Sequence, residues 1–140
     1  MADPESDIGI LTTLIDATTV SADAYQGAAA YLEDEDLRNV FLQRATERKI
    51  IATNLLEQLD ALGGTPEAGA TSVSAYRVFN DLPGAARAGR PVVIEEVRSG
   101  EKRLRALYQE VIDNSALSAL SLPVVHNACD SLLDGIDGSG

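Results

Sequence analysis

Apolar residues recur three and four apart along nearly the whole chain, and that spacing restricts it to helices. The first stripe reads Ile8, Leu11, Ile15, Thr18, Ala22, Tyr25, Ala29 and Leu32, preceded by a capping Asp3 and by Pro4 at the first helical position. The acidic run 33–36 breaks this helix and opens the next, because carboxylates suit a helix N-terminus. The second stripe is Leu37, Phe41, Ala45, Ile51, Ala52, Leu55, Leu59 and Leu62, and Gly63-Gly64 stops it. Residues 65–71 are a polar loop. A shorter helix is expected from about Ser72 to Arg87, with Pro83 ending or kinking it. Gly89-Arg90-Pro91 opens a long helix carrying Val93, Ile94, Val97, Leu104, Tyr108, Val111 and Ile112, and Asp113-Asn114-Ser115 supplies the turn. The last helix carries Leu122, Val125, Cys129, Leu132, Leu133 and Ile136, with Pro123 kinking it or marking its start. Strand and hairpin signals are absent.

Loop lengths set the expected topology. Short turns make the first and second long helices antiparallel neighbours, and likewise the third and fourth. A helix over 35–62 is roughly 40 Å tall, and the connection over 64–90 is long enough to travel that height. The expectation is an all-α, ferritin-like four-helix bundle: two antiparallel hairpins joined by a long crossover that contains a short extra helix. The 140 residues predict one domain, over 1–137, with 138–140 as a disordered tail.

Charge narrows the functional classes. The chain carries 22 acids against 11 bases, a formal net charge of −11. All 11 bases lie between Arg38 and Arg105, whereas residues 1–37 hold nine acids and 106–140 hold five, with no base in either. Anionic partners are disfavoured, which excludes nucleic acid and anionic membrane surfaces. No apolar run approaches the roughly 18 residues of a membrane span. The acidic opening Met1-Ala2-Asp3-Pro4-Glu5 is wrong for a leader, so a cytoplasmic location is expected. One cysteine excludes a disulfide scaffold or a cysteine-rich zinc site, and no phosphate-binding loop is present.

Several stretches resemble a known family. They are Ala24-Tyr25-Gln26-Gly27-Ala28-Ala29, the segment from Glu47-Arg48 to Asn54-Leu55, Arg77-Val78-Phe79-Asn80-Asp81-Leu82, Gly100-Glu101 followed by Tyr108, and His126. Over roughly 8–135 the chain is similar to an uncharacterised bacterial family of ferritin-like four-helix bundles, a domain of unknown function distantly similar to rubrerythrin. The resemblance implies a ferritin-like fold and an association with stress, and assigns no activity.

That fold raises the question of a metal centre. Di-iron bundles use an interior glutamate on two helices and Glu-x-x-His on the other two. At about 100° per residue, Glu101 projects about 40° from the centre of its helix's apolar stripe, so it turns inward. An interior carboxylate needs a partner or a metal. Arg44 and Arg48 fall within about 20° of the centre of the second stripe, with Glu47 at its edge and isoleucine three residues later. The first helix offers Thr18, Ser21, Ala22 and Tyr25 at mid-height, where the family pattern carries a glutamate near Ala22. His126 lies at the edge of the last stripe, with Asp130 four residues on, and Cys129 reads as an inert buried thiol. Tyr25, Tyr31, Phe41, Tyr76, Phe79 and Tyr108 read as packing residues.

Two functions follow. The first is a non-enzymatic bundle with no cofactor, whose interior is a polar core of Arg44, Arg48 and Glu101. It acts by assembly, as a homo-oligomer or with a protein partner, and the crossover around Tyr76, Val78 and Phe79 is its expected contact surface. The second is a metal-binding oxidoreductase or iron-handling protein that holds iron, or another divalent metal, on Glu47, Glu101 and His126. The two separate on distance: Glu101 within hydrogen-bond reach of an arginine favours the first.

Overall fold

The computed structural model describes residues 4–64, 79, 81–114 and 117–137. These residues form five helices and no strand: α1 (Pro4–Ala29), α2 (Glu35–Ala61), α3 (Leu82–Ala88), α4 (Arg90–Asn114) and α5 (Leu122–Asp137). The helix boundaries have local causes. Asp34 caps α2 by accepting from the Leu37 amide at 3.1 Å, and its other oxygen pairs with Arg90. Past the α2 terminus Gly63 sits at φ 82°, a left-handed conformation that glycine adopts without a side-chain clash.

The short helix differs from the sequence expectation. Among the described residues it begins at Leu82 and contains Pro83 in its first turn, so this proline starts the helix instead of ending it. Asp81 is the cap, accepting from the Gly84 amide at 3.0 Å. Pro123 likewise lies in the first turn of α5. The polar loop over 65–71, the start of the expected crossover helix at Ser72, Tyr76, Val78 and the 138–140 tail all lie outside the described residues, as do the side chains of Leu133 and Ile136.

The four long helices touch in a closed ring, α1 on α2, α2 on α5, α5 on α4 and α4 on α1, and α3 lies against α1 and α4. Two sets of contacts fix their directions. At one end Ser118, just before α5, donates to Asp7 of α1, Gln58 of α2 donates to Ser121, and Gly64 approaches Ile8. At the other end Asp34 meets Arg90, and the Arg87 guanidinium lies 4.2 Å from the Tyr31 ring centroid. Therefore α1 runs from the Asp7 end to the Asp34 end, α2 and α4 run back, and α5 starts again at the Asp7 end. Leu11, Leu14, Leu55, Leu59, Leu104, Val125 and Leu132 fill the centre of the ring. No helix among the described residues is long and apolar enough to cross a membrane.

Tyr31 departs from its expected packing role. It is 45% exposed and packs against Arg87 at the surface, because it lies in the turn after α1, where the helical repeat no longer sets its direction.

The Asp7 end is held by a polar clasp that periodicity alone does not reveal. Asp7 is buried and accepts from the Ser118 amide at 3.0 Å, the Ser118 hydroxyl at 2.6 Å and the Ser121 hydroxyl at 2.7 Å. Burial pushes the carboxyl pKa upward, but the donations from Ser118 and Ser121 outweigh it and hold the group below its ordinary 3.8. The clasp thus stabilises the fold fully above the ordinary value, and that contribution is lost as pH falls through the lower folded value. Asp7→Asn should flatten the acid limb of a stability–pH profile and lower stability at neutral pH by about 1–3 kcal/mol, read by denaturant titration. An acid limb identical to that of the unsubstituted chain would show that Asp7 does not carry it.

Candidate functional site

Halfway up the ring, α1, α2 and α4 each turn polar side chains inward. Arg48 NH2 donates to Glu101 Oε2 at 2.6 Å, and its NH1 donates to Ser21 Oγ at 2.9 Å. Tyr25 donates its hydroxyl to Glu101 Oε1 and accepts from Arg44 NH1 at 3.3 Å. Two turns further along α4, the hydroxyls of Tyr108 and Thr18 bond each other, and Thr18 also donates to the Leu14 carbonyl at 2.7 Å. Arg44, Arg48 and Glu101 are 4%, 1% and 4% exposed, so the cluster is shut off from water.

Tyr25 is the hub. Its ring stands edge-on to Phe41 and Phe79, with centroids 5.1 and 5.3 Å away. The Arg44 and Arg48 guanidinium carbons lie 5.4 and 5.9 Å from the same ring centroid. Such placement lets the negative ring face share in neutralising the two cations. Burial, and then the charge of Glu101, push the Tyr25 pKa well above its ordinary value despite the two arginines, so the phenol stays protonated as the donor Glu101 requires. Burial likewise raises the Tyr108 pKa. Among the described residues no buried side-chain nitrogen or oxygen lacks a hydrogen-bond partner. A buried polar cluster satisfied in this way fixes helix register, because sliding any helix would strand a charge.

The residues expected to hold a metal are not brought together. Glu101 is interior, but each of its oxygens already accepts a hydrogen bond. Glu47 is exposed and accepts from Gln43 at 3.2 Å on the same helix. His126 and Asp130 are exposed on α5, which turns Val125, Ala128 and Cys129 inward instead. Among the described residues no group of three His, Cys, Asp or Glu side chains is placed to hold a metal ion. The interior carboxylate of the set, Glu101, has Arg44 and Arg48 on its inner side and borders an open cavity of about 430 Å³ that is also lined by Glu95, Arg98, Lys102 and Arg105. Cys129 is buried, and burial pushes its thiol pKa upward, which leaves it protonated.

Phe79 was expected at a contact surface, yet it is 7% exposed and lies against Tyr25 and Gly100. A β-carbon at Gly100 would overlap the Phe79 ring, so α4 carries a notch that only glycine leaves open. Helical periodicity brings Arg44, Arg48 and Glu101 together but assigns no role to the hydroxyls of Ser21 and Tyr25. The signal for them is their position on the inward stripe of α1, between Thr18 and Ala29.

No curated protein and no solved structure matches the chain. A family model does, over residues 7–114, and that span includes the helices carrying Tyr25, Arg44, Arg48 and Glu101. The chain belongs to this family, the domain of unknown function DUF2383.

Proposed function

We propose that this chain is a ferritin-like four-helix bundle that works by assembly or partner binding and not as a metalloenzyme. Ring order and helix direction support the fold: α1 and α5 run one way, α2 and α4 the other, and each helix touches two antiparallel neighbours. Gly64 lies by Ile8 at one end and Arg90 by Asp34 at the other, which supports a long crossover joining the two hairpins. The single observation carrying the functional reading is the Arg48–Glu101 ion pair at 2.6 Å. It occupies the mid-height of the bundle, where di-iron relatives of this fold place their ligands. Guanidinium charge takes the position of metal charge, and Ser21 and Tyr25 complete the hydrogen bonding. The bundle of this reading is bacterial, cytoplasmic and stress-associated.

The test is metal content after aerobic loading of the purified protein with ferrous iron, in parallel with Glu101→Ala. Iron well below one equivalent per chain, unchanged by the substitution, is expected. Near-stoichiometric iron that disappears in Glu101→Ala would overturn the reading and restore a carboxylate centre that includes Glu101.

A further inference from the structure

Three bases of α4 are placed unlike the other bases of the protein. Arg98, Lys102 and Arg105 line the open cavity beside this helix, and among the described residues none of them makes a hydrogen bond or an ion pair. The other described bases are engaged. Arg38 donates to the Leu32 carbonyl at 3.0 Å, Lys49 donates to Gln26 at 2.6 Å, Arg90 pairs with Asp34, and Arg87 lies over the Tyr31 ring. Arg44 and Arg48 belong to the core, and Arg103 also has a partner. In a chain with 22 acids for 11 bases, composition does not force any base to go without a counter-charge.

The three stand at positions i, i+4 and i+7, within about 60° of rotation and about 10 Å of helix rise, so their heads share one patch. Like charges one turn apart repel, and the arrangement therefore works against the stability of α4. The acids at hand do not relieve it. Glu95 lines the same cavity and is exposed, yet among the described residues it forms no ion pair. Glu101 has both oxygens committed to Tyr25 and Arg48. Asp130 of α5 acts together with Arg105 on the Cys129 thiol, but it bonds none of the three bases.

We propose that the cavity beside α4 binds a small polyanion, a compound carrying phosphoryl or several carboxylate groups, through Arg98, Lys102 and Arg105. The site is separate from the assembly reading and goes beyond it. Two guanidinium forks and an ammonium supply the planar and point-like donors that such oxyanions take up. A volume of about 430 Å³ suits a ligand of metabolite size, since small-molecule sites run from roughly 300 to 1,000 Å³. The net charge of −11 does not oppose this at contact range, because charges further than about 8 Å are screened at physiological salt. A long polyanion would extend beyond the cavity onto acidic surface, so the occupant is small.

Isothermal titration calorimetry of the full chain at low ionic strength, with pyrophosphate and separately with citrate, tests this. One site per chain should appear with at least one of them, and the tighter of the two tells phosphoryl from carboxylate chemistry. The double substitution Arg98→Gln with Lys102→Gln should weaken binding at least tenfold, and Arg105→Gln alone should weaken it in the same direction. Arg38→Gln with Lys49→Gln removes the same charge from α2 and should leave the affinity in place. Thermal melts check that each variant is folded. Absence of binding with both anions up to millimolar concentration overturns the site. Equal weakening by the α2 and α4 double substitutions also overturns it, because the anion would then sense only the overall charge. Iron loading of Glu101→Ala decides the functional reading and does not bear on this titration.

Discussion

Glu101→Ala should lower the stability of this protein by about 3–5 kcal/mol, the range found when one member of a buried ion pair is removed. For a chain of this size that is a drop in Tm of about 10 °C or more. The cause is what the substitution leaves behind. Arg48, 1% exposed, keeps the Ser21 hydroxyl but loses its carboxylate acceptor, and Tyr25 loses the oxygen to which it donates. Glu101→Gln should cost less, because an amide still accepts from one partner while the charge is gone. Removing both charges together, as Arg48→Met with Glu101→Leu, should give a protein more stable than Glu101→Ala alone, since Arg48 is no longer left inside without its counter-ion. Denaturant titrations followed by circular dichroism read all three. A Glu101→Ala melt that coincides with the unsubstituted one would contradict the polar core.

Phe79→Ala should be nearly as damaging, at about 3–5 kcal/mol, because it empties a space enclosed by Tyr25 and the Gly100 notch. The complementary substitution is more discriminating. Alanine is the better helix former by about 1 kcal/mol, so Gly100→Ala would stabilise α4 if the site were open. Here the added β-carbon overlaps the Phe79 ring, and Gly100→Ala should instead destabilise by about 1–3 kcal/mol. In the Phe79→Ala background the same change should become neutral or favourable, because the ring it collides with is gone. That reversal is a coupling energy between residues 21 positions apart in sequence, and a double-mutant cycle measures it. Additive effects would mean that Phe79 does not fill the notch.

Much of the architecture is written in short-range pattern. Asp34 starts α2 and Gly63 ends it because capping bonds and left-handed backbone are decided within a few residues. The inward turn of Arg44, Arg48 and Glu101 is legible for a similar reason. A fixed rotation per residue relates each of them to the apolar stripe on its own helix. The edge positions were harder to read. Glu47 and His126 lie at stripe margins, where a small rotation of the helix separates interior from solvent, and the structure exposes both. Pro83 has two local readings, helix stop or first turn, and its capping partner Asp81 selects the second.

By itself, then, the sequence determined that the chain is all helical, where the long helices break, and that two arginines and a glutamate turn toward its centre. Each of those follows from interactions between residues a few positions apart. Only the tertiary structure decided that Arg48 reaches Glu101 across 53 residues, that Asp7 grips Ser118 across 111, and that Phe79 lies in the Gly100 notch instead of on the surface. Those contacts depend on how far each helix slides and rotates against its neighbours, and no single stripe encodes that relation.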